Sequence, residues 1–161
     1  MNGFRLAAAI ATAVVLAGPA SSAERVGRVL VSTGQVEVVR DGRRAVPLAR
    51  GDTLRAGDLL RTGPGGRTQL RMRDGALVAL RPGSRFRVER YREGEEGGTA
   101  LLELLEGGLR TLTGTIGGGE DAYRMQTPVA TIGVRGTQYA LRLCDSACTE
   151  ATGVGRRGLY G

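Results

Sequence analysis

The side chains that most often carry catalysis are scarce in this chain of 161 residues. Histidine, the commonest general base and a frequent metal ligand, does not occur. A serine or cysteine nucleophile would therefore lack the partner that usually activates it. Most acidic residues lie beside Gly or Arg in predicted turns, where solvated or capping roles account for them. We therefore expect no catalytic residues, no bound metal and no cofactor.

The two cysteines, Cys144 and Cys148, lie close together in the sequence. In an oxidising compartment, such a pair predicts a disulfide that closes a short loop. The alternative is half of a metal site, but the sequence offers no second pair of ligands. We favour the disulfide.

All basic residues are arginine: there are 23 of them against 16 acids, and the formal net charge is +7. They are spread along the chain and interleaved with acids, which favours a solvated exterior over a dedicated site. The other interpretation is an anion-binding surface on two predicted strands. Its residues would be Arg67, Arg71, Arg73, Arg85 and Arg87.

Residues 1–23 predict an export signal. One positive charge at Arg5 precedes an apolar run, and Ser21-Ser22-Ala23 supplies small residues for cleavage. The run is too short for a membrane-spanning helix, which needs about 20 apolar residues. Residues 24–161 are then periplasmic or extracellular, with no transmembrane segment and no nucleic-acid partner. The partner would be an unknown envelope protein or a polymer such as peptidoglycan or lipopolysaccharide.

Turn signals at short spacing predict an all-β fold. Pairs such as Asp41-Gly42 and Pro82-Gly83 favour the positive φ angles of tight turns. The segments between them alternate between polar and apolar residues, with inward positions at Leu70, Met72, Phe86 and Val88. We predict one mainly antiparallel β-sandwich or barrel-like domain over residues 24–161, with a short β-helical stack as the alternative.

Two segments depart from simple alternation. Residues 76–80 are apolar throughout, which predicts a strand covered on both faces. Residues 99–106 are rich in Leu and Glu, which also suits a short helix. Because this segment is short and lies between predicted strands, we favour a strand with Leu102 and Leu104 inward.

Three segments, in order, resemble the FecR domain. They are residues 57–63, residues 70–80 with the Asp74-Gly75 turn, and residues 127–139 around Val134-Arg135-Gly136-Thr137. The resemblance runs from about residue 55 to residue 143. It implies a β-rich periplasmic module without enzymatic activity.

The best-known members of that family relay a signal from a loaded siderophore receptor to a sigma factor. They carry a cytoplasmic anti-sigma segment and a transmembrane helix before the domain, where this sequence has a predicted signal peptide. We therefore expect an envelope interaction module, with a role as a sigma-factor regulator as an alternative. Residues 156–161 suggest a turn and the start of another strand, so we expect the sequence to be a fragment.

The last of the three segments contains the predicted structural motif, formed by Thr127, Pro128, Val134, Arg135, Gly136 and Thr137. Arg135 is the one charged residue among apolar neighbours at this bend. We favour a structural role in which its planar guanidinium ties a neighbouring strand. The alternative is that Arg135 is displayed for a partner.

Overall fold

The computed structural model describes residues 24–92, 97–116, 122–136 and 138–144, and the backbone of a short strand at 159–160. The predicted signal peptide, residues 1–23, lies outside these ranges and stays a prediction. All regular secondary structure in the described residues is β-strand, which confirms the all-β prediction. The described ranges hold no helix with the length and apolar character to cross a membrane.

The strands, numbered β1 to β14 along the chain, form two sheets. The first contains β1 (Arg25–Thr33), β4 (Thr53–Arg55), β6 (Arg67–Met72), β7 (Leu77–Leu80), β10 (Gly108–Leu112), β13 (Gln138–Leu143) and β14 (Leu159–Tyr160). Its spatial order is β14-β13-β10-β7-β6-β1-β4. The strand expected near the end of the sequence is therefore present as β14, which pairs with β13.

The second sheet contains β2 (Val36–Val39), β3 (Val46–Pro47), β5 (Leu59–Thr62), β8 (Arg85–Arg92), β9 (Thr99–Glu106), β11 (Tyr123–Gln126) and β12 (Thr131–Gly133). Its order is β12-β11-β9-β8-β5-β2-β3. Neighbouring strands in both sheets run antiparallel except β9 and β11, which are parallel. A β-helical stack would pair successive coils in parallel, so the structure agrees with the sandwich.

Both sheets contribute their inner faces to one core. Leu70 and Met72 of the first sheet are buried, as are Phe86 and Val88 of the second. Leu102 and Leu104 are also fully buried in β9, so the strand prediction for residues 99–106 is confirmed. These positions follow period two because successive side chains on a strand point to opposite faces.

The prediction that residues 76–80 are covered on both faces is wrong. Val78 and Leu80 are buried, whereas Leu77 and Ala79 are only half-buried on the solvent side of β7. Antiparallel sandwich sheets commonly pack one face on the core and leave the other to water. Val31 and Leu112, each 43% exposed, lie on the same side of the first sheet. Apolar side chains are thus present on the solvent side of the first sheet, where the sequence pattern predicts a buried strand.

The chain passes from the second sheet to the first through a tight corner at Gly107, between β9 and β10. Gly107 has a φ of 76°, and a Cβ there would lie 2.5 Å from both the Gly83 carbonyl oxygen and Ser84 Oγ. The buried Ser84 hydroxyl donates to the Gly108 carbonyl and accepts from the Gly108 amide. This corner places β10 next to β7 in the first sheet.

Candidate functional site

The solvent side of the first sheet is rich in arginine and has no acidic residue on its strands. We call this side the basic face. None of the seven strands of this sheet contains Asp or Glu. The exposed arginines on these strands are Arg25, Arg28, Arg55, Arg67, Arg71, Arg110 and Arg142.

Two pairs of these arginines lie directly opposite each other across neighbouring strands. The register places Arg25 opposite Arg55 and Arg28 opposite Arg71. Residues opposite each other have Cβ atoms about 5 Å apart, so like charges there are destabilising. Among the described residues, none of the four makes an ion pair with a carboxylate. We therefore expect the arrangement to lower the stability of the free protein.

A row of residues that we call the apolar strip crosses the basic face; it contains Val31, Ala79 and Ala140, and it is interrupted by Gln69 and the exposed Arg110. The register aligns Val31, Gln69, Ala79, Arg110 and Ala140 across five neighbouring strands. Arg71 lies two residues from Gln69 on one side of the strip, and Arg67 lies two residues away on the other. Four residues of strand span about 13 Å, which sets the spacing of the two groups. A shallow groove of about 510 Å³ runs over this strip, lined among others by Val31, Arg67 and Ala79.

A second shallow cleft, of about 580 Å³, lies at the end of the face near the Gly107 corner. Arg81, Arg142, Glu106 and Cys144 are among its lining residues. A Cβ at Gly108 would lie 2.9 Å from the Leu141 carbonyl oxygen and 3.4 Å from Arg81 Cδ, so the missing side chain leaves room mainly for the backbone of β13. Charged residues of both signs line the cleft. Its described residues include no pair of polar groups arranged for catalysis.

The structure does not bring the five predicted anion-binding arginines together. Arg67 and Arg71 lie on the basic face, while Arg73, just beyond β6, lies 3.2 Å from a Glu24 carboxylate oxygen. Anion binding by Arg67 and Arg71 stays a prediction.

The other two predicted arginines, Arg85 and Arg87, are on β8 of the second sheet, where acids neutralise them. Arg85 lies 3.0 Å from Glu106, and Arg87 lies 3.0 Å from Glu89 and 3.5 Å from Glu103. Strands β6 and β8 look alike in sequence but belong to different sheets, whose solvent sides point in opposite directions.

The predicted structural motif spans the end of β11 to the start of β13. The Thr127 hydroxyl accepts from the Ala130 amide and donates to the Ala130 carbonyl, closing the turn that contains Pro128 between β11 and β12. Val134 packs against the core, and the Gly136 carbonyl accepts from the Thr113 hydroxyl. Thr137 lies outside the described residues. The turn therefore joins two strands of the second sheet, and the bend that follows β12 leads to β13 in the first sheet.

Arg135 is exposed. Among the described residues its guanidinium makes no hydrogen bond or ion pair, so the expected tie to a neighbouring strand is absent from this part of the chain. The side chain lies in solvent in the described part of the chain, and its display for a partner stays a prediction.

The disulfide prediction remains open to experiment because Cys148 lies outside the described residues. Cys144 follows β13 directly and is half-buried. We expect mass spectrometry of the exported protein to show a peptide joined at Cys144 and Cys148, lighter by the thiol hydrogens. Alkylation of both cysteines without prior reduction would contradict this.

Two aspartates in predicted turns, Asp58 and Asp74, also bind neighbouring segments through hydrogen bonds. Asp58 is 2% exposed; one carboxylate oxygen accepts from Arg40 Nε at 3.1 Å and the other from the Arg55 amide at 3.0 Å. Asp74 accepts from the hydroxyl of Tyr91 at 2.5 Å and from the Ile116 amide at 3.2 Å. Both carboxylates are engaged by structural donors, in the turns at Gly57-Asp58 and Asp74-Gly75.

Three further hydroxyls are buried at the inner faces of β10, β11 and β13. They belong to Thr111, Tyr123 and Tyr139, and none makes a well-formed hydrogen bond with the described residues. The rings of Tyr123 and Tyr139 meet edge to face, with centroids 6.3 Å apart. Burial raises the pKa of Tyr123 well above that of a free tyrosine, and it also raises the pKa of Tyr139. Both side chains are therefore neutral at physiological pH.

Across the described ranges, no group of three or more His, Cys, Asp or Glu side chains is placed to hold a metal ion.

Comparison with known proteins gives one informative result. The model of the FecR protein family matches residues 58–153. Searches of curated proteins and of solved structures find no match. Because the family match covers more than half of the 161 residues, the chain belongs to the FecR protein family, whose domains act in periplasmic signalling and regulation.

Proposed function

We propose that this domain is a non-enzymatic protein-interaction module of the cell envelope that takes part in envelope sensing or signal relay. The basic face is the observation that carries this proposal. Its charges are spread over a sheet surface instead of being gathered in a pocket, as in a surface that binds another macromolecule. The family match supports a regulatory role in the periplasm.

Reversible crosslinking in the native host followed by affinity purification tests the proposal. We expect one or a few envelope proteins to be enriched over a tagged periplasmic protein of similar size and charge. Enrichment that disappears equally for all proteins when crosslinking is carried out at high salt would indicate non-specific charge binding. Absence of any enriched protein at low salt would contradict an interaction module.

The finer role, regulation of a siderophore receptor through a sigma factor, has its own test. If the domain acts in such a system, deleting its gene changes transcription of the receptor gene when the siderophore is supplied. A neighbouring sigma-factor gene beside a gene for a TonB-dependent receptor would support the same role. Unchanged transcription with and without the siderophore would rule this role out.

Binding of an envelope polyanion is the second candidate, and the acid-free strands of the first sheet favour it. The set of candidate residues is smaller than the set predicted from the sequence, because Arg85 and Arg87 already have acidic partners. Binding to peptidoglycan or lipopolysaccharide through exposed arginines should weaken steeply as salt rises. Binding that resists salt would count against a purely electrostatic polymer site.

A further inference from the structure

We infer that the basic face is the binding surface of the module and that it takes a protein segment rich in Asp or Glu around an apolar centre. The inference rests on the proposed interaction function and adds to it a surface and a partner chemistry. It is carried by three independent observations on the described residues.

The first observation is the charge difference between the two sheets. On the second sheet, Arg85 and Arg87 lie within 3.5 Å of glutamates on the same or neighbouring strands. Such mixed charge is typical of a solvated exterior. The first sheet has seven exposed arginines and no strand acid, so an exterior selected only for solubility does not explain it.

The second observation is the opposed arginine pairs. Arg28 and Arg71 face each other in register, as do Arg25 and Arg55, without an internal carboxylate to relieve them. A carboxylate placed between two guanidinium groups would receive charge-assisted hydrogen bonds from both. Arginine forks match carboxylate geometry in two-bond contacts, which lysine cannot form. The cost of the pairs in the free protein is therefore offset when an anionic partner binds.

The third observation is the apolar strip, which favours a protein over a polymer of phosphates or sugar acids. Val31 is 43% exposed and Ala79 is half-buried in the strip, while Leu77 and the 43% exposed Leu112 lie opposite each other in the next row, level with Arg71. Polymers of that kind have little apolar surface to bury on this strip, whereas apolar side chains of a protein gain from it. Among the side chains that the structure describes, the rings of Phe86, Tyr91, Tyr123 and Tyr139 all lie in or against the core, so the described part of the face offers no ring for a sugar to stack on.

The dimensions of the face suit an extended segment. The arginines on either side of the strip are about 13 Å apart along the strands, which is more than twice the spacing of about 5 Å between neighbouring strands, so one extended segment fits between them. Such a segment would lie across the strands with apolar residues over Ala79 and Ala140 and a carboxylate at Arg110, which lies between them. Its carboxylates would reach Arg71 on one side and Arg67 on the other.

Site-specific photo-crosslinking in the native host tests the inference. A benzophenone amino acid replaces Ala140 on the strip, or Leu101 on the second sheet as the matched position. Each crosslinking variant is combined with the double substitution Arg67→Glu/Arg71→Glu. The control is the double substitution Arg61→Glu/Arg90→Glu on the second sheet, which changes the net charge of the protein by the same amount. Circular dichroism confirms that each variant is folded.

We expect protein adducts from position 140, and the crosslinked peptide is expected to be rich in Asp or Glu with apolar residues between them. The Arg67→Glu/Arg71→Glu pair should lower the adduct yield about tenfold, whereas the control pair should change it less than about twofold. Equal loss in both pairs would show that only net charge matters and would overturn the inference.

Other outcomes separate this inference from the proposed function. Protein adducts from position 101 but not from 140 would overturn the surface while leaving the interaction module in place. Lipopolysaccharide or glycan adducts at position 140 would assign the face to the polyanion alternative. Adducts at neither position would contradict both the surface and the module.

Discussion

Tyr91 and Tyr123 are both almost fully buried, yet their hydroxyls are in different situations. The Tyr91 hydroxyl donates to Asp74, which also accepts from the Ala76 and Ile116 amides. The Tyr123 hydroxyl makes no well-formed hydrogen bond with the described residues. At this scale, stability depends on whether a buried polar atom has a partner, and not on burial alone.

We expect Tyr91→Phe to lower the free energy of unfolding by about 1–2 kcal/mol, because Asp74 loses a donor inside the core. Tyr123→Phe should change it by less than about 0.5 kcal/mol, since the Tyr123 hydroxyl makes no well-formed hydrogen bond and only a weaker polar contact with the Tyr139 hydroxyl. Urea unfolding followed by circular dichroism measures both. Equal losses in the two variants would contradict this account.

The same tyrosines predict loss of stability in base. The pKa of Tyr123 and of Tyr139 is raised by burial, so the folded state holds these protons more tightly than the unfolded chain, whose tyrosine pKa is about 10. The contribution is therefore fully present below about pH 10 and is lost as pH rises through the folded-state pKa values. Urea unfolding between about pH 8 and pH 11.5 measures it. Tyr123→Phe should flatten the decline, and an unchanged slope would refute the assignment.

The corner between β9 and β10 shows how one element boundary joins the two sheets. Gly107 needs its positive φ, and it also lies against Gly83 and Ser84, with no room for a side chain. Gly42, in the turn after β2, has a φ of 67° but nothing within 4 Å of a built Cβ. Substitution of Gly42 therefore introduces backbone strain alone, whereas substitution of Gly107 introduces both backbone strain and a steric clash.

Gly107→Ala should lower the free energy of unfolding by about 3 kcal/mol or more, because left-handed strain and overpacking add at one position. Gly42→Ala carries the left-handed strain alone and should cost about 1–2 kcal/mol. Chemical unfolding of the two variants compares them directly. A larger loss at Gly42 than at Gly107 would be inconsistent with the described corner.

At the scale of the whole molecule, charge is divided unequally between the two sides of the sandwich. The second sheet carries the strand glutamates, and the first carries arginines without them. This division predicts a conflict between stability and binding on the basic face. Natural proteins often retain such conflicts at functional surfaces.

Arg71→Glu tests that conflict. It places a carboxylate opposite Arg28 and should raise the free energy of unfolding by about 0.2–1 kcal/mol at low salt, less at high salt. The same change should weaken partner binding. Urea unfolding at two salt concentrations measures the first effect, with Arg90→Glu as the control on the other sheet. A loss of stability for Arg71→Glu would mean that the opposed arginines do not repel.

Alternation in the sequence was sufficient to predict the all-β fold and the inward positions of β6, β8 and β9. Leu70, Phe86 and Leu104 are buried as predicted because a side-chain period of two depends only on local strand geometry. The lack of histidine likewise led to the expectation of a non-enzymatic protein before any fold was known. These conclusions require no knowledge of which strands are neighbours.

Only the tertiary structure decided which arginines share a face. Arg67 and Arg85 begin strands of similar pattern, yet one lies on the basic face and the other is paired with Glu106 on the opposite sheet. Strand order and register depend on long-range pairing, which local alternation does not encode. The same reason explains why Ala79 is half-exposed beside arginines, and why the sequence identified the family but not the surface.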